Sequence, residues 1–188
     1  MDSHISKSEI QEAIKDKDDF VKLNYLTRYL GKAENFETKK FILLNLAAIN
    51  ESRGMLREAI RNLNSAGDIS ITFRDKMDLY MKTAELYVKL CDFIMADKAF
   101  QKAASFGNNY EKEQMHSGYL EFYRMQGKFA KENGKIRKAL QIYERLYSMP
   151  QSNEKKQEAK ERLLEVYEKL GMMRECNRLK GQTQPQPF

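Results

Sequence analysis

A helix-hairpin pattern that occurs three times constrains the fold of this chain more than any other feature. Each copy has four positions on one helix, followed on a second helix by a small residue, an aromatic residue or Leu, and a closing apolar position. The copies are Leu43, Leu46, Ala47, Asn50, Ala59, Leu63, Ala66; Tyr80, Thr83, Ala84, Tyr87, Ala96, Phe100, Ala103; and Tyr123, Gln126, Gly127, Ala130, Ala139, Tyr143, Leu146. At about 100° per residue, the first four positions share one helical face. Because small residues allow close helix packing, the pattern predicts stacked antiparallel hairpins without strands.

The pattern resembles the tetratricopeptide repeat (TPR), which places W-x2-L-G-x2-Y on one helix and A-x3-F on the next. The chain departs from the family in having no Trp, and only Pro150 lies near the position of the repeat's Pro. The resemblance implies an all-α, right-handed α-solenoid of antiparallel helix hairpins, and it implies a scaffold or adaptor for other proteins rather than an enzyme. A generic helical bundle is the alternative, because A-x3-F also occurs by chance on amphipathic helices.

The spacing of the repeats predicts one TPR-like domain over residues 1–180. Two N-terminal helices are expected within 1–39, and the apolar band of the second, from Phe20 to Leu30, is typical of a helix covered by neighbours. The predicted repeats lie near 40–73, 77–110 and 120–153, with a degenerate fourth near 157–180. The remaining residues, 181–188, are rich in Gln and Pro and are predicted to form a disordered tail.

Local signals predict where individual helices begin and end. Gly54 and Gly134 fall at the turns inside their hairpins, and Cys91 and Gly171 take the same place in the other two units. Capping signals open the second and third repeats, at Thr72 with Asp75 and at Asn108 with Glu111.

Composition argues against several classes of function. No stretch approaches the roughly 18 apolar residues of a membrane span, and the first residues lack a signal peptide, so a cytoplasmic location is expected. Cys91 and Cys176 lack metal-ligand spacing, and His4 and His116 are isolated. We therefore predict no enzyme activity, no cofactor and no metal site.

The resemblance implies that the exposed face of each first helix lines a concave groove. These positions, second, fifth, ninth and twelfth in each repeat, lie roughly opposite the packed face. The predicted binding residues are Phe41, Leu44, Ala48, Met81, Glu85, Arg124, Lys128 and Lys131. The fourth repeat places Glu158, Glu161, Glu165 and Glu168 at these positions. An acidic, partly apolar segment of another protein is the expected ligand.

Each part of this groove also has a structural interpretation. The N-terminal helices could cover Phe41 and Leu44. Arg124, Lys128 and Lys131 could instead face the glutamates of the fourth repeat in a ladder of surface ion pairs, each contributing at most about 1 kcal/mol.

The third repeat begins 43 residues after the second, so its first helix is predicted to start early and run from about Asn109 to Glu132. Met115, Tyr119 and Phe122 share a face of this extension. That stripe is either a second interface, for example in a homodimer, or it is hidden beneath a neighbouring helix or loop.

Nucleic-acid binding is the alternative function from another class. The net charge of +6 and the isoelectric point of about 9.1 favour it. However, Lys and Arg alternate with Asp and Glu along the chain, which is typical of a solvated surface. RNA is therefore the less favoured partner.

Overall fold

The structure is a computed structural model that describes residues 6–181. Within that range the chain forms ten α-helices and no β-strand, which confirms the all-α prediction. The helices are α1 (Lys7–Ile14), α2 (Asp19–Leu30), α3 (Phe36–Ser52), α4 (Leu56–Ile69), α5 (Phe73–Lys89), α6 (Phe93–Ala104), α7 (Asn109–Glu132), α8 (Ile136–Ser148), α9 (Asn153–Lys169) and α10 (Met173–Gly181). Apart from Gly181, which ends α10, the predicted disordered tail lies outside the described residues.

The helices group into two compact units. Within residues 6–181, the first unit comprises the residues up to Leu90 together with Ile94–Lys112, and the second comprises Cys91–Phe93 and the residues from Glu113 onward. The single-domain organisation and the right-handed course of the whole solenoid stay predictions.

In the first unit, α3 is buried on two sides. Leu43 and Ala47 belong to an apolar cluster with residues of α4, including Ala59. On another face of α3, Ile42 and Leu46 belong to a second cluster with residues of α1 and α2. Ala47 and Ala59, the small residues of the first copy of the pattern, are therefore buried in one cluster between α3 and α4.

In the second unit, a tyrosine ring explains why one crossing position is glycine. A Cβ atom added to Gly127 on α7 would lie 2.7 Å from the Tyr143 ring on α8, closer than real side chains approach. Ala139, the small residue that the pattern places on α8, is fully buried. It is the Tyr143 ring, however, that leaves no space for a side chain at position 127.

The predicted turns and caps are confirmed. Gly54, Gly134 and Gly171 have φ values of 74°, 71° and 69°, and Cys91 adopts the same left-handed conformation with φ 59°. The Thr72 hydroxyl accepts a hydrogen bond from the Asp75 amide at 3.1 Å and opens α5. These local features set the ends of the helices that carry the groove positions.

Candidate protein-interaction surfaces

The second unit contains a cleft of about 500 Å³ between α7, α8 and α9. Tyr143 and Leu146 of α8 line it together with residues of the flanking helices. The predicted residues Arg124, Lys128 and Lys131 all project from α7 into this cleft, so the structure brings them together.

Arg124 and Lys131 are held by acidic groups of α9. Arg124 Nε lies 3.8 Å from Glu158 Oε2, and its Nη1 donates to Glu121 Oε2 on the same helix at 3.0 Å. Lys131 Nζ donates to Glu165 Oε2 at 2.5 Å. This hydrogen bond lowers the pKa of the Glu165 carboxyl against the opposing effect of burial. For these two cations, the ion-pair alternative is confirmed.

Lys128 differs from Arg124 and Lys131 because its ion pair is formed with a residue of its own helix rather than with a residue of α9. Its side chain is 72% exposed, and its ion pair with Glu132 on the same helix is 3.9 Å long. Arg162 of α9 also lines the cleft and is about half exposed, although it contacts Glu165 at 3.5 Å. Lys128 and Arg162 are therefore the cations that an incoming carboxylate can reach.

An apolar ridge accompanies these cations. Met125 and Phe129 are exposed and lie one turn apart on α7. In the sequence, Met125 precedes Lys128 and Phe129 directly follows it. The repeat pattern missed Met125 and Arg162 as surface residues of the cleft. The i, i+3, i+4 spacing of Met125, Lys128 and Phe129 is the sequence signal that could have found the ridge.

The apolar end of the predicted groove lies in the first unit and is partly covered. Phe41 packs against the cluster formed with α1 and α2, and the Lys7 ammonium lies 5.1 Å from the centre of its ring. Leu44 is half-buried against the α3–α4 cluster, whereas Ala48 is exposed. The structure thus favours the covered alternative for Phe41, whereas cover of Leu44 by the N-terminal helices stays a prediction.

Met81 and Glu85 lie beside a network of charges between α3 and α5. Glu51 contacts Lys82 at 3.3 Å and Lys89 at 2.6 Å, while Glu85 contacts Lys82 at 3.6 Å. Burial raises the pKa of Glu85. Burial also opposes ionisation of Glu51, but the two lysines outweigh it and lower the pKa of that carboxyl. Glu85 is therefore the less well compensated carboxylate of this face.

The predicted second interface is not an open surface. Helix α7 runs from Asn109 to Glu132 as predicted, but Tyr119 and Phe122 are buried and Met115 is half-buried. The Tyr119 ring packs edge-on against Tyr123 at 5.1 Å. The open-stripe alternative is therefore wrong, because α7 buries a broader band than the repeat positions alone indicate.

The sequence predicts that the two histidines are isolated and do not form part of a site. The His116 ring nitrogen Nε2 lies 2.9 Å from the carbonyl oxygen of Pro150, so this side chain joins α7 to the segment before α9. His4 lies outside the described residues. Within residues 6–181, no cluster of His, Cys, Asp and Glu could hold a metal ion. In the same range, no helix has the length and apolar character needed to cross a membrane.

Comparisons with known proteins returned solved structures only. No family model matches the chain, and no curated protein matches it. One similar structure is BtubC (BKLC) from P. vanneervenii, with 15% identity, a TM-score of 0.44, and coverage of 96% of this chain and 81% of that one. A protein of nearly identical TPR-like repeats from Podosopora anserina, and a variant of it, each show 13% identity, a TM-score of 0.44, and coverage of 94% and 90%. The chain is thus similar to TPR-like helical repeat proteins at low sequence identity.

Proposed function

We propose that this chain is a non-catalytic protein-interaction scaffold, and that the α7–α9 cleft binds an acidic, partly apolar segment of another protein. The observation that carries the proposal is that exposed Lys128 and Arg162 line the cleft together with exposed Met125. Phe129, which is also exposed, lies one turn from Met125 on α7. A carboxylate of the ligand would bind the two cations while an apolar side chain covers the ridge.

The division between the two largely buried cations of α7 that pair with α9 and the two more exposed cations supports this mode of binding. Arg124 and Lys131 fix α9 against α7 and keep the cleft in shape. Lys128 and Arg162 lie at the rim, where charges act mainly on the rate of association and are screened by salt. Binding at this cleft is therefore expected to weaken as the ionic strength rises.

A peptide fits the cleft better than nucleic acid does. Glu121, Glu132 and Glu158 line the cleft among its cations. These carboxylates would repel the closely spaced phosphates of RNA, whose binding depends on an uninterrupted basic surface. A peptide can instead pair its few charges with the cations and avoid the glutamates.

The test is a double substitution, Lys128→Glu with Arg162→Glu. Arg124 is unsuitable as a probe because its side chain is only 13% exposed and helps to hold α9. Affinity capture followed by mass spectrometry identifies the partner, and its affinity is then measured with the purified variant. We expect binding to weaken at least about tenfold, mainly through slower association.

The matched control is Lys98→Glu with Lys112→Glu, which changes the same total charge at two exposed lysines of the first unit. This control should keep its affinity for the partner. Circular dichroism shows whether each double variant is folded. If both folded variants bound the partner with equal affinity, the cleft would not be the binding site. If the wild-type protein bound RNA in a salt-sensitive manner and only the cleft variant lost this binding, the ligand of the cleft would be nucleic acid rather than a protein.

A further inference from the structure

The outer surface of α2 exposes residues that its apolar pattern predicts to be covered. Leu26 is its one fully buried residue, whereas the Phe20 side chain is 70% exposed. The prediction that neighbours cover this helix is therefore wrong for the part of it that carries Phe20. A single exposed aromatic residue is ordinary, but a contiguous exposed apolar patch is typical of an interaction site.

Phe20 borders a cleft of about 620 Å³ between α2 and the turn that connects α3 to α4. Leu23 contributes from the same helix, and Met55, itself 44% exposed, contributes from the turn. A smaller cleft of about 320 Å³ continues on the other side of Phe20, next to Tyr25. Together these residues, called here the α2 cleft, form an apolar surface about two helical turns long.

The charge of the α2 cleft is uncompensated. Arg28 and Arg53 both line it, and no carboxylate does. Neither guanidinium group has an ion pair or side-chain hydrogen bond within the described part of the chain. Since a guanidinium group binds a carboxylate with two parallel hydrogen bonds, this pair favours an acidic ligand.

We propose that the α2 cleft binds an acidic segment of a partner protein. The segment inserts an aromatic or large aliphatic side chain between Phe20, Leu23 and Met55, and it places a carboxylate against Arg28 and Arg53. The apolar contact supplies the larger part of the binding free energy, as in other interfaces with an aromatic anchor. The two arginines select an acidic sequence next to that anchor.

The charges also argue against two other occupants. A second copy of this chain, docked symmetrically on the same surface, would bring four guanidinium groups together without a carboxylate from either cleft. Nucleic acid would place phosphates beside Asp18 and Asp19, which directly precede Phe20 at the start of α2. An acidic peptide can keep its own charges at the arginine end and avoid both penalties.

This site is independent of the α7–α9 cleft because it lies entirely in the first unit. Its substitutions therefore test it separately. Phe20→Ser removes the apolar anchor, and Arg28→Glu with Arg53→Glu reverses the charge, all at exposed positions. Tyr110→Ser is the matched control, since Tyr110 is also an exposed aromatic residue of the first unit, at 69%.

The experiment selects a phage-displayed library of random dodecapeptides on the wild-type protein. Peptides that combine Asp or Glu with Phe, Leu or Met should be enriched. The affinity of one synthetic, fluorescein-labelled peptide is then measured by anisotropy. We expect it to fall at least about tenfold with Phe20→Ser and with the double arginine variant, and to stay unchanged with Tyr110→Ser.

Three results would overturn the proposal. Selected peptides could lose binding only with Lys128→Glu/Arg162→Glu, which would leave the α7–α9 cleft as the acidic-peptide site. Alternatively, sedimentation could show a wild-type dimer that Phe20→Ser dissociates, so that a second copy covers the surface. In the third case, an RNA oligonucleotide rather than the peptides would depend on Arg28 and Arg53.

Discussion

The two units use the same contact between successive first helices but place the charges in opposite order. In the first unit, the acid of the main network, Glu51, is on the earlier helix, α3, and its lysines, Lys82 and Lys89, are on α5. In the second unit, the cations are on the earlier helix, α7, where Lys131 pairs with Glu165 of α9. Glu51 and Lys131 occupy the same position, the twelfth, in their repeats.

This difference shows which part of the repeat is free to change. A charge at the twelfth position stabilises the pairing of helices whichever sign it has, provided that the next helix carries the opposite sign. In the proposed function, the charge that remains accessible at the surface selects the ligand. In the second unit that charge is Lys128, which supports the proposal of an acidic partner.

The units also share a packing feature, a glycine beneath a tyrosine ring. A Cβ atom on Gly67 would lie 2.9 Å from the Tyr80 ring in the first unit, and one on Gly127 would lie 2.7 Å from Tyr143 in the second. We expect Gly127→Ala and Gly67→Ala each to reduce the free energy of unfolding by about 1 to 3 kcal/mol through overpacking.

Gly118→Ala is the control on the same helix as Gly127, because a Cβ atom there meets nothing within 4 Å. This change should raise the free energy of unfolding by up to about 1 kcal/mol, since Ala favours a helix over Gly. Urea denaturation measures all three variants. If Gly127→Ala were as stabilising as Gly118→Ala, the Tyr143 ring would not determine the crossing.

The sequence predicted the structural features that depend on residues close together in the chain, such as helix ends and turns. The bounds of α7 follow from the reciprocal hydrogen bonds of Asn108 with Glu111, at 2.8 and 2.9 Å, and from the turn at Gly134. The conformation of Cys91 was predictable because its place in the repeat is that of a turn glycine. These signals lie within a few residues of the structure that they specify.

The features that were missed depend on residues far away in the sequence. Periodicity alone did not show that Tyr119 is buried and Phe20 exposed, because both lie on apolar faces and only the packed neighbours distinguish them. In the same way, the sequence placed Arg124, Lys128 and Lys131 on one face. Only the position of α9 determines that Lys128 is the cation without an acidic partner from that helix.

A second comparison between the units concerns tyrosine hydroxyl groups bound to carboxylates. Tyr167 donates to Glu144 at 2.9 Å, and burial together with this hydrogen bond raises the pKa of Tyr167 to about 12. Tyr80 donates to Asp68 at 2.5 Å, and burial and this bond raise its pKa too, but Lys102 lies 4.0 Å over its ring and opposes the effect.

Because the folded protein holds the Tyr167 proton more tightly than the unfolded chain does, this tyrosine makes stability fall with rising pH. Its contribution is complete below the ordinary pKa of 10.0 and is lost as the pH rises toward about 12. We expect the wild-type protein to lose stability over this range more steeply than Tyr167→Phe. Other titrating groups, including the lysines, are common to both proteins and cancel in the difference.

Tyr80→Phe gives the corresponding measurement in the first unit and should change the pH dependence less, owing to Lys102. Thermal melts of the three proteins across the alkaline range provide the data. Identical slopes for the wild-type protein and Tyr167→Phe would show that burial and Glu144 do not hold this proton. A larger effect at Tyr80 would reverse the assignment of Lys102 as the opposing charge.

The smallest expected effect concerns the competition between Glu51 and Glu85 for Lys82. Glu51 lies nearer to Lys82, at 3.3 Å against 3.6 Å, and it also has Lys89. After burial, which is the main cause of the raised pKa of Glu85, the charge of Glu51 adds to the increase. The substitution Glu51→Gln removes that charge and leaves Lys82 to Glu85, so the pKa of Glu85 should fall.

Titration of the Glu85 carboxyl carbon by NMR measures this change directly. The control is Glu58→Gln, which breaks an exposed ion pair with Arg61 and should leave the pKa of Glu85 unaltered. If the pKa of Glu85 were unchanged in Glu51→Gln, the charge of Glu51 would not contribute to it. The short distances from Lys82 to Glu51 and Glu85 would then not reflect coupling between the two carboxylates.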